Sequence, residues 1–313
     1  MKPSSHSRRW KVAGAIAVVG VLALASCSDK SSDSSSDTTA KSGGSTAAST
    51  TIRISGQDFP EQRTLVQVYG QYLQAQGFKV DIQDPVGTRT QLFAALKSGK
   101  LDLQIDYSGS AVVELGGKAS GDADATYTTL TGLLKPKGLE ASEQSEAADA
   151  NALVALTSWA KANNVKTISD LSNVKDPLTL GGAAECAKRP ECLPGYQTTY
   201  GLTLKFKVVD YGPPLVAALK ANEIQVAQYG STAPEIAAGT IVELEDDKHL
   251  QDAQNVVPIF SAKISSDKLT KALNTLSAKI TTDDLAAWNK STDVDKEDPA
   301  DVATAWLKDN NLN

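Results

Sequence analysis

The chain has 313 residues, with 31 Lys and Arg against 37 Asp and Glu and a formal net charge of −6. That acidity leaves no electrostatic footprint for nucleic acid, and none for an anionic membrane surface beyond an attached lipid. With only three cysteines and two histidines, a metal centre has few soft ligands to draw on, and none is expected.

The first 26 residues read as a signal. Lys2, Arg8, Arg9 and Lys11 precede an apolar run from Val12 to Leu24, which closes in Leu24-Ala25-Ser26-Cys27. A basic head, an apolar middle and small residues before a cysteine describe a bacterial lipoprotein signal, with cleavage before Cys27 and acylation (palmitate) of the new terminus. The competing reading is a plain secretory signal with an incidental Cys27. The run is too short to span a bilayer comfortably. Cleavage takes 31 cations to 27 against 37 acids, leaving a net charge of −10. After Cys27, residues 28–50 hold only Ser, Thr, Ala, Gly, Asp and Lys, with no large apolar side chain, so 27–50 cannot offset its ordering entropy and is expected to act as a flexible tether. The protein is therefore expected on the extracytoplasmic face of the cell membrane, lipid-anchored, as a monomer.

The body opens with a strand at Thr51–Gly56 and a helix from Glu61 to Gln76, whose Leu65, Val68, Tyr69, Tyr72 and Leu73 recur at helical spacing. Phe78–Gln83 alternates as a strand, Thr90–Ser98 is amphipathic, and Leu101–Tyr107 is a strand again. Two short helices fill 108–136 around the Gly116-Gly117 and Gly121 breaks, and Leu139–Ser145 is extended. Asn151–Asn163 is expected to be helical. A second unit runs through Leu178–Gly182, Phe206–Asp210, a helix at Pro214–Ala221 and a strand at Ile224–Gln228. Val256–Ala262 is the last strand, and helices follow with caps expected at Ser266, Thr282 and Asp298-Pro299.

Strands alternating with helices predict an α/β fold with mostly parallel sheets. Two such units joined by extended segments predict two lobes with a ligand cleft between them: residues 51–147 plus 256–313 in one, 148–255 in the other. Cys186 and Cys192 are expected to pair, as cysteines of exported proteins do by default. Closing so short a loop contributes at most about 2–3 kcal/mol, so its role is to shape Glu185–Pro194. Two free thiols are the alternative.

Several segments resemble the glycine betaine/carnitine/choline substrate-binding proteins of bacterial ABC importers, over residues 52 to 312. Asp58-Phe59-Pro60-Glu61-Gln62 resembles the family's opening F-x-E-Q. Asp106-Tyr107-Ser108-Gly109-Ser110 is similar to E-Y-T-G-T. Leu180-Gly181-Gly182 with Arg189-Pro190 and Leu193-Pro194-Gly195 resembles G-G-x-x-E-x-x-x-R-P-x-x-L-P-G. Leu244-Glu245-Asp246-Asp247-Lys248 with Asn255-Val256-Val257-Pro258 resembles L-x-D-D-K…P-P-Y-N-x-A-P.

The resemblance implies a two-lobed, periplasmic-binding-protein (Venus-flytrap) receptor for a small solute. It would close by hinge motion and hand that solute to an ABC permease driven by its ATPase, in osmoprotection. Family members hold quaternary ammonium groups in tyrosine cages by cation–π attraction. Carried over by position, the resemblance implies Tyr107, Ser110, Gln62, Asn151, Tyr229 and Gln254 as ligand-binding residues. Asn151 and Gln254 fall where cage tyrosines are usual, and Tyr229-Gly230-Ser231-Thr232-Ala233 displaces the aromatic of F/Y-S-T-D by one and drops its acid. The cage is thus expected to be poor in rings and rich in amides, which favours a ligand with several hydrogen-bonding groups.

Each of these residues has a plainer reading. Tyr107 and Tyr229 could pack in cores at strand ends, Ser110 could cap a helix, and Gln62, Asn151 and Gln254 could be solvated. His249 reads as a surface residue; Trp159, Trp288 and Trp306 read as packing.

An exported hydrolase is the main competing function. A serine triad needs a base, and the body after Cys27 has only His249, with no G-x-S-x-G elbow. The expectation is therefore no enzyme and no cofactor. The alternatives within binding are a tethered receptor for a polyhydroxylated or aromatic polyol ligand, and a sensory protein that feeds no permease.

Overall fold

The computed structural model describes residues 51–313. The signal, Cys27 and the tether expected over 27–50 lie outside the described residues.

The first part of the body runs β1 (Ile52–Ser55), α1 (Pro60–Ala75), β2 (Val80–Ile82), α2 (Arg89–Ser98), β3 (Leu103–Tyr107), α3 (Ser108–Glu114), α4 (Ala123–Leu134) and β4 (Leu139–Ala141). Next come β5 (Asn151–Leu156), α5 (Thr157–Ala162), β6 (Leu178–Gly182), α6 (Leu193–Thr199), β7 (Leu204–Val208), α7 (Pro213–Lys220), β8 (Val226–Gly230), α8 (Pro234–Ala237) and β9 (Ile241–Leu244). The chain then returns through β10 (Val256–Ser261) and ends in α9 (Asp267–Ser277), α10 (Thr282–Asn289) and α11 (Pro299–Asp309).

Two five-stranded sheets result, ordered β2-β1-β3-β10-β4 and β7-β6-β8-β5-β9. In each, the strands on one side are parallel, and one returning strand, β10 or β5, is antiparallel to its neighbours. The sheets are thus mixed, less parallel than the alternating pattern predicts. Each carries helices on both faces, and each forms a lobe. The first sheet has one core with α1 and the C-terminal helices on one face and another with α2, α3 and α4 on the other. The second sheet is sandwiched in the same way.

One element differs in kind from the expectation. Asn151–Asn163 is not one helix: β5 occupies its first half and α5 only its second. β5 is flanked by β8 and β9, so Ala152, Leu153, Val154 and Ala155 are buried on both faces. A strand buried on both faces has no alternation to read, and its alanines mimic a helix. The expected cap at Thr282 falls one residue earlier. Thr281 caps α10 through a reciprocal pair with Asp284, and Ser266 and Asp298 cap α9 and α11. The short elements α6, α8 and β9 fall outside the predicted elements.

Cys186 and Cys192 are bonded, with Cα atoms 5.2 Å apart. They sit over the end of β6, where a Cβ on Gly182 would lie 3.3 Å from the Cys186 Cβ. Glycine there lets the disulfide loop settle onto the strand. Trp288 and Trp306 meet edge to face at 5.2 Å in the core around α1, and His249 is exposed.

Candidate functional site

Two chain crossings join the lobes, one over 142–150 and one over 245–255. They pair with each other as an antiparallel bridge at Ala148–Asn255. The second crossing lies against the start of α3: Ser108 N donates to Asn255 O at 2.9 Å and Gly109 N to Ala253 O at 3.0 Å. A Cβ on Gly109 would come within 2.4 Å of that Ala253 oxygen, so the crossing passes where only glycine leaves room. Asp246, from the L-E-D-D-K segment, organises the entry to this crossing. It accepts from the Tyr200 hydroxyl, from Leu250 N at 3.0 Å and from Gln251 N at 2.7 Å.

A polar chain spans the two lobes beside the first crossing. Strand alternation on β3 puts Gln104 and Asp106 on one face and Tyr107 on the other. Asp106, fully buried, accepts from Arg89 Nε and Tyr107 N, both at 2.8 Å, and from Gln104 Nε2 at 3.0 Å. That network fixes the strand end carrying Tyr107. Burial raises the Asp106 pKa despite Arg89.

On the opposite face the Tyr107 hydroxyl donates to Glu61 Oε1. Glu61 Oε2 accepts from Asn289 Nδ2 at 2.6 Å, and the same nitrogen donates to Thr232 O at 3.0 Å. Thr232 Oγ1 in turn donates to Asp149 Oδ1 at 3.0 Å. The chain therefore runs from β3 through α1 and the end of α10 to the loop after β8 and the first crossing.

Glu61 is only 4% exposed. Burial first, and the like charge of Asp149 second, push its pKa up to about 7 against the hydrogen bonds that favour its anion. Burial raises Asp149 as well. Tyr107 is pushed well up by burial and then by Glu61.

Aromatic rings stand beside these carboxylates. Phe59 stacks with Tyr107 at 6.4 Å between centroids. In the other lobe Tyr211, which precedes α7, stacks with Tyr229 at 4.7 Å. Tyr211 is 62% exposed while Tyr229 is 4% exposed. Desolvation, then Asp149 and Glu235, raise the Tyr211 pKa, and Glu61 contributes too.

The six residues singled out in the sequence fall into two groups. Tyr107, Gln62 and Tyr229 lie near or among these rings and carboxylates. Gln62 is fully buried, and neither of its amide atoms has a protein hydrogen-bond partner. Asn151 and Gln254 instead line a separate cavity of about 280 Å³ with Gly121, Glu243 and Asp252. Register explains the split: Ala152 pairs with Tyr229, so Asn151 points to the other face of the sheet, away from Tyr229. Gln254 Oε1 accepts from Ser110 N at 3.0 Å, which ties Ser110 and Gln254 together at the crossing. Asn151 and Gln254 thus border the crossings, on a different cavity from Tyr107. Phe59, Glu61, Asp149, Tyr211 and Asn289 were not singled out as site residues. Glu61 and Phe59 stand inside the F-x-E-Q segment, whereas nothing local marks Tyr211, Asp149 or Asn289. No group of His, Cys, Asp and Glu among the described residues is arranged to hold a metal ion, and no described helix is long and apolar enough to cross a membrane.

Two α/β lobes linked by paired crossings, with rings and carboxylates gathered where they meet, define a two-lobed solute-binding protein. The family model for the substrate-binding domain of ABC-type glycine betaine transport systems matches residues 50–309, and the chain belongs to that family. Its members are solute-binding proteins, not enzymes. A glycine-betaine-binding protein of Pseudomonas aeruginosa is 25% identical over 283 residues, covering 85% of this chain and 90% of its own. The carnitine transport binding protein OpuCC of Listeria monocytogenes is 26% identical, covering 85% and 88%. In fold, the chain matches a solved glycine betaine/carnitine/choline ABC transporter structure with a TM-score of 0.76 at 21% identity, covering 83% of this chain and 99% of that one. It matches apo YehZ of Escherichia coli at 0.77 and 20% identity, covering 84% and 99%.

Proposed function

We propose that this protein is a lipid-anchored receptor that captures a small methylated-ammonium osmolyte outside the cell and delivers it to an ABC permease. Family membership supports the transport role, and the Leu24-Ala25-Ser26-Cys27 sequence supports the anchor. The lobes would divide at 51–147 plus 256–313 and 148–255, with the crossings as hinge.

The observation that carries the ligand class is a stacked aromatic pair in each lobe, Phe59–Tyr107 and Tyr211–Tyr229, with Tyr107 bonded to the Glu61 carboxylate. A methylated ammonium cannot donate hydrogen bonds, so ring faces and carboxylates are its best partners. Tyr107, Gln62 and Tyr229 are the ligand contacts in this reading, joined by Phe59, Tyr211 and Glu61. Ser110, Gln254 and Asn151 border the crossings and adjust closure.

The test is a thermal-shift and calorimetric screen of the purified full chain against methylated ammonium solutes, amino acids, sugars and aromatic polyols. A ligand that binds only the folded state raises its apparent stability. Binding of a methylated ammonium that is lost in Tyr211→Ala and Tyr107→Ala supports the reading. Binding only of polyols, or binding indifferent to both substitutions, refutes it.

A further inference from the structure

The Cys186–Cys192 disulfide sits where the second lobe holds the second crossing. Its loop leads directly into α6, and together they meet residues 246–251. Gln251 Nε2 donates to Glu191 O at 2.6 Å and lies 3.4 Å from the Tyr196 hydroxyl. A Cβ on Gly195 would lie 2.6 Å from Leu250 Cδ1, so helix and crossing close on each other where only glycine fits. At the far end of α6 the Tyr200 hydroxyl accepts from Lys248 N at 2.8 Å, and Lys248 Nζ donates to Thr199 O at 3.2 Å. Leu250 packs against the core that contains Cys186, Cys192, Tyr196 and Tyr200.

Two residues past Gln251 the hydrogen bonds go to the other lobe. Ala253 N donates to Ser120 O at 2.8 Å, and Ala253 O accepts from Gly109 N at 3.0 Å. The disulfide loop is therefore at the last point where the second lobe grips this crossing.

A second observation links that grip to the sulfurs. Cys192 Sγ lies 3.2 Å from Gln228 Oε1, with Cys192 at 0% and Gln228 at 7% exposure. A disulfide sulfur has no hydrogen, so the oxidised pair makes no hydrogen bond there. A Cys192 thiol would find an acceptor already in place. That acceptor also takes the Tyr196 hydroxyl proton at 2.8 Å. Cys192, Gln228, Tyr196, Gln251 and Glu191 thus form one buried polar circuit that begins at a sulfur and ends at the crossing.

We infer that the disulfide is a redox-operated hold on the hinge. Oxidised, it fixes the Glu191 carbonyl and the head of α6 against Gln251. Reduced, it frees them while Gln228 takes up the Cys192 thiol, so the crossing loosens without unfolding the lobe. This rests on the crossings being the hinge and is independent of the ligand class. The reductant is an exported dithiol. Its thiolate attacks one cysteine sulfur, the S–S bond breaks and a mixed disulfide forms; its second thiol resolves that bond. Cys186 and Cys192 gain two electrons and two protons, and the dithiol leaves as a disulfide. The sulfurs are buried, so attack needs the loop to lift, and its outer residues Glu185, Lys188 and Pro190 are exposed. A bridge across a separation of six residues constrains the unfolded chain only modestly, so the lobe survives its loss.

The experiment is amide hydrogen exchange on the full chain, oxidised and after dithiothreitol, and on Cys186→Ser with Cys192→Ser and on Gln251→Ala. Thermal melts confirm that each is folded. The amides of Leu250 and Gln251, bonded to Asp246, are expected to exchange at least tenfold faster in all three altered forms, with those of β5 and β8 unchanged. Alkylation of the Cys186 and Cys192 peptides against graded dithiothreitol reads the redox equilibrium. Gln228→Leu, which removes the acceptor of the thiol, should raise the dithiol needed for half reduction at least threefold. Unchanged exchange on reduction, exchange rising throughout the second lobe, half reduction indifferent to Gln228→Leu, or a disulfide that resists excess dithiol in the folded chain overturns the inference. Calorimetry with choline and glycine betaine on the oxidised chain runs alongside: if neither binds, the proposed ligand class falls, while exchange and alkylation still decide the hinge.

Discussion

Asn289 Nδ2 lies 2.6 Å from Glu61 Oε2 across 228 residues of sequence. The contact joins the last turn of α10 to the first turn of α1. The C-terminal helices therefore do more than cover the first sheet: one of them reaches the junction of the lobes and supplies a side chain there. Because the same nitrogen also bonds Thr232 O in the second lobe, any change in lobe geometry is felt at Glu61.

Tyr211→Ala should separate binding from stability. The ring is 62% exposed, so its loss should cost the fold less than about 1 kcal/mol. Each lost cation–π contact costs about 0.5–2 kcal/mol, roughly 2- to 30-fold in affinity. Denaturant unfolding and calorimetry on the same variant check this. Tyr229→Ala, at 4% exposure, should lower both.

Stability should depend on pH through Glu61. Its folded pKa of about 7 lies above the ordinary 4.5, so the folded state keeps a proton that the unfolded chain releases. The stabilisation is fully present below pH 4.5 and is lost as pH rises to about 7, on the order of 3 kcal/mol. Asp149 is raised, and Glu243 is raised to about 7 by burial and then Asp246, so both act in the same sense. Unfolding of the ligand-free protein between pH 5 and 8 should show this decline, and Glu61→Gln should flatten part of it. Stability that climbs across that interval would contradict the assignment.

Arg89→Met should be costly despite its neutral appearance. Asp106 would stay fully buried with only neutral partners. Removing one partner of a buried pair costs about 3 kcal/mol, and Arg89→Met with Asp106→Asn should recover part of it. Equal stability of the single and double variants would show that the ion pair contributes nothing.

On the proposed lipoprotein reading, in which an acyl chain on Cys27 would be the hydrophobic anchor, Cys27→Ser should leave the body folded and release it from the membrane. Fractionation of detergent-free lysates reads this directly. A Cys27→Ser protein that still sediments with membranes would remove the lipoprotein reading.

The sequence carried most of the architecture because amphipathic helices and strand-ending motifs are local signals. The helix over α1 emerges from Leu65, Val68, Tyr69, Tyr72 and Leu73, all buried in one core. β5 was illegible as a strand because burial on both faces erases alternation, and which strands flank it is decided by the fold. Of the candidate site, Tyr107 stands in a motif segment and Tyr229 one position off its motif, while register, which the sequence does not show, decides which face of the sheet Asn151 takes. Tyr211 carries no motif; only its stacking on Tyr229 marks it.

Three successive backbone amides at the head of α3 are taken by the second crossing: Ser108 by Asn255 O, Gly109 by Ala253 O and Ser110 by Gln254 Oε1. That stretch of crossing is in effect riveted to the first lobe. The first crossing is held from both sides: the Ser231 hydroxyl of the second lobe accepts from Ala150 N and donates to Ala148 O, while Ala148 N donates to Thr282 Oγ1 of α10 at 3.1 Å. The second crossing is likewise tied back to the second lobe, where Gln251 Nε2 donates to Glu191 O at 2.6 Å. A swing of one lobe past the other would therefore have to strain these side-chain bonds, which act as polar latches on both ribbons.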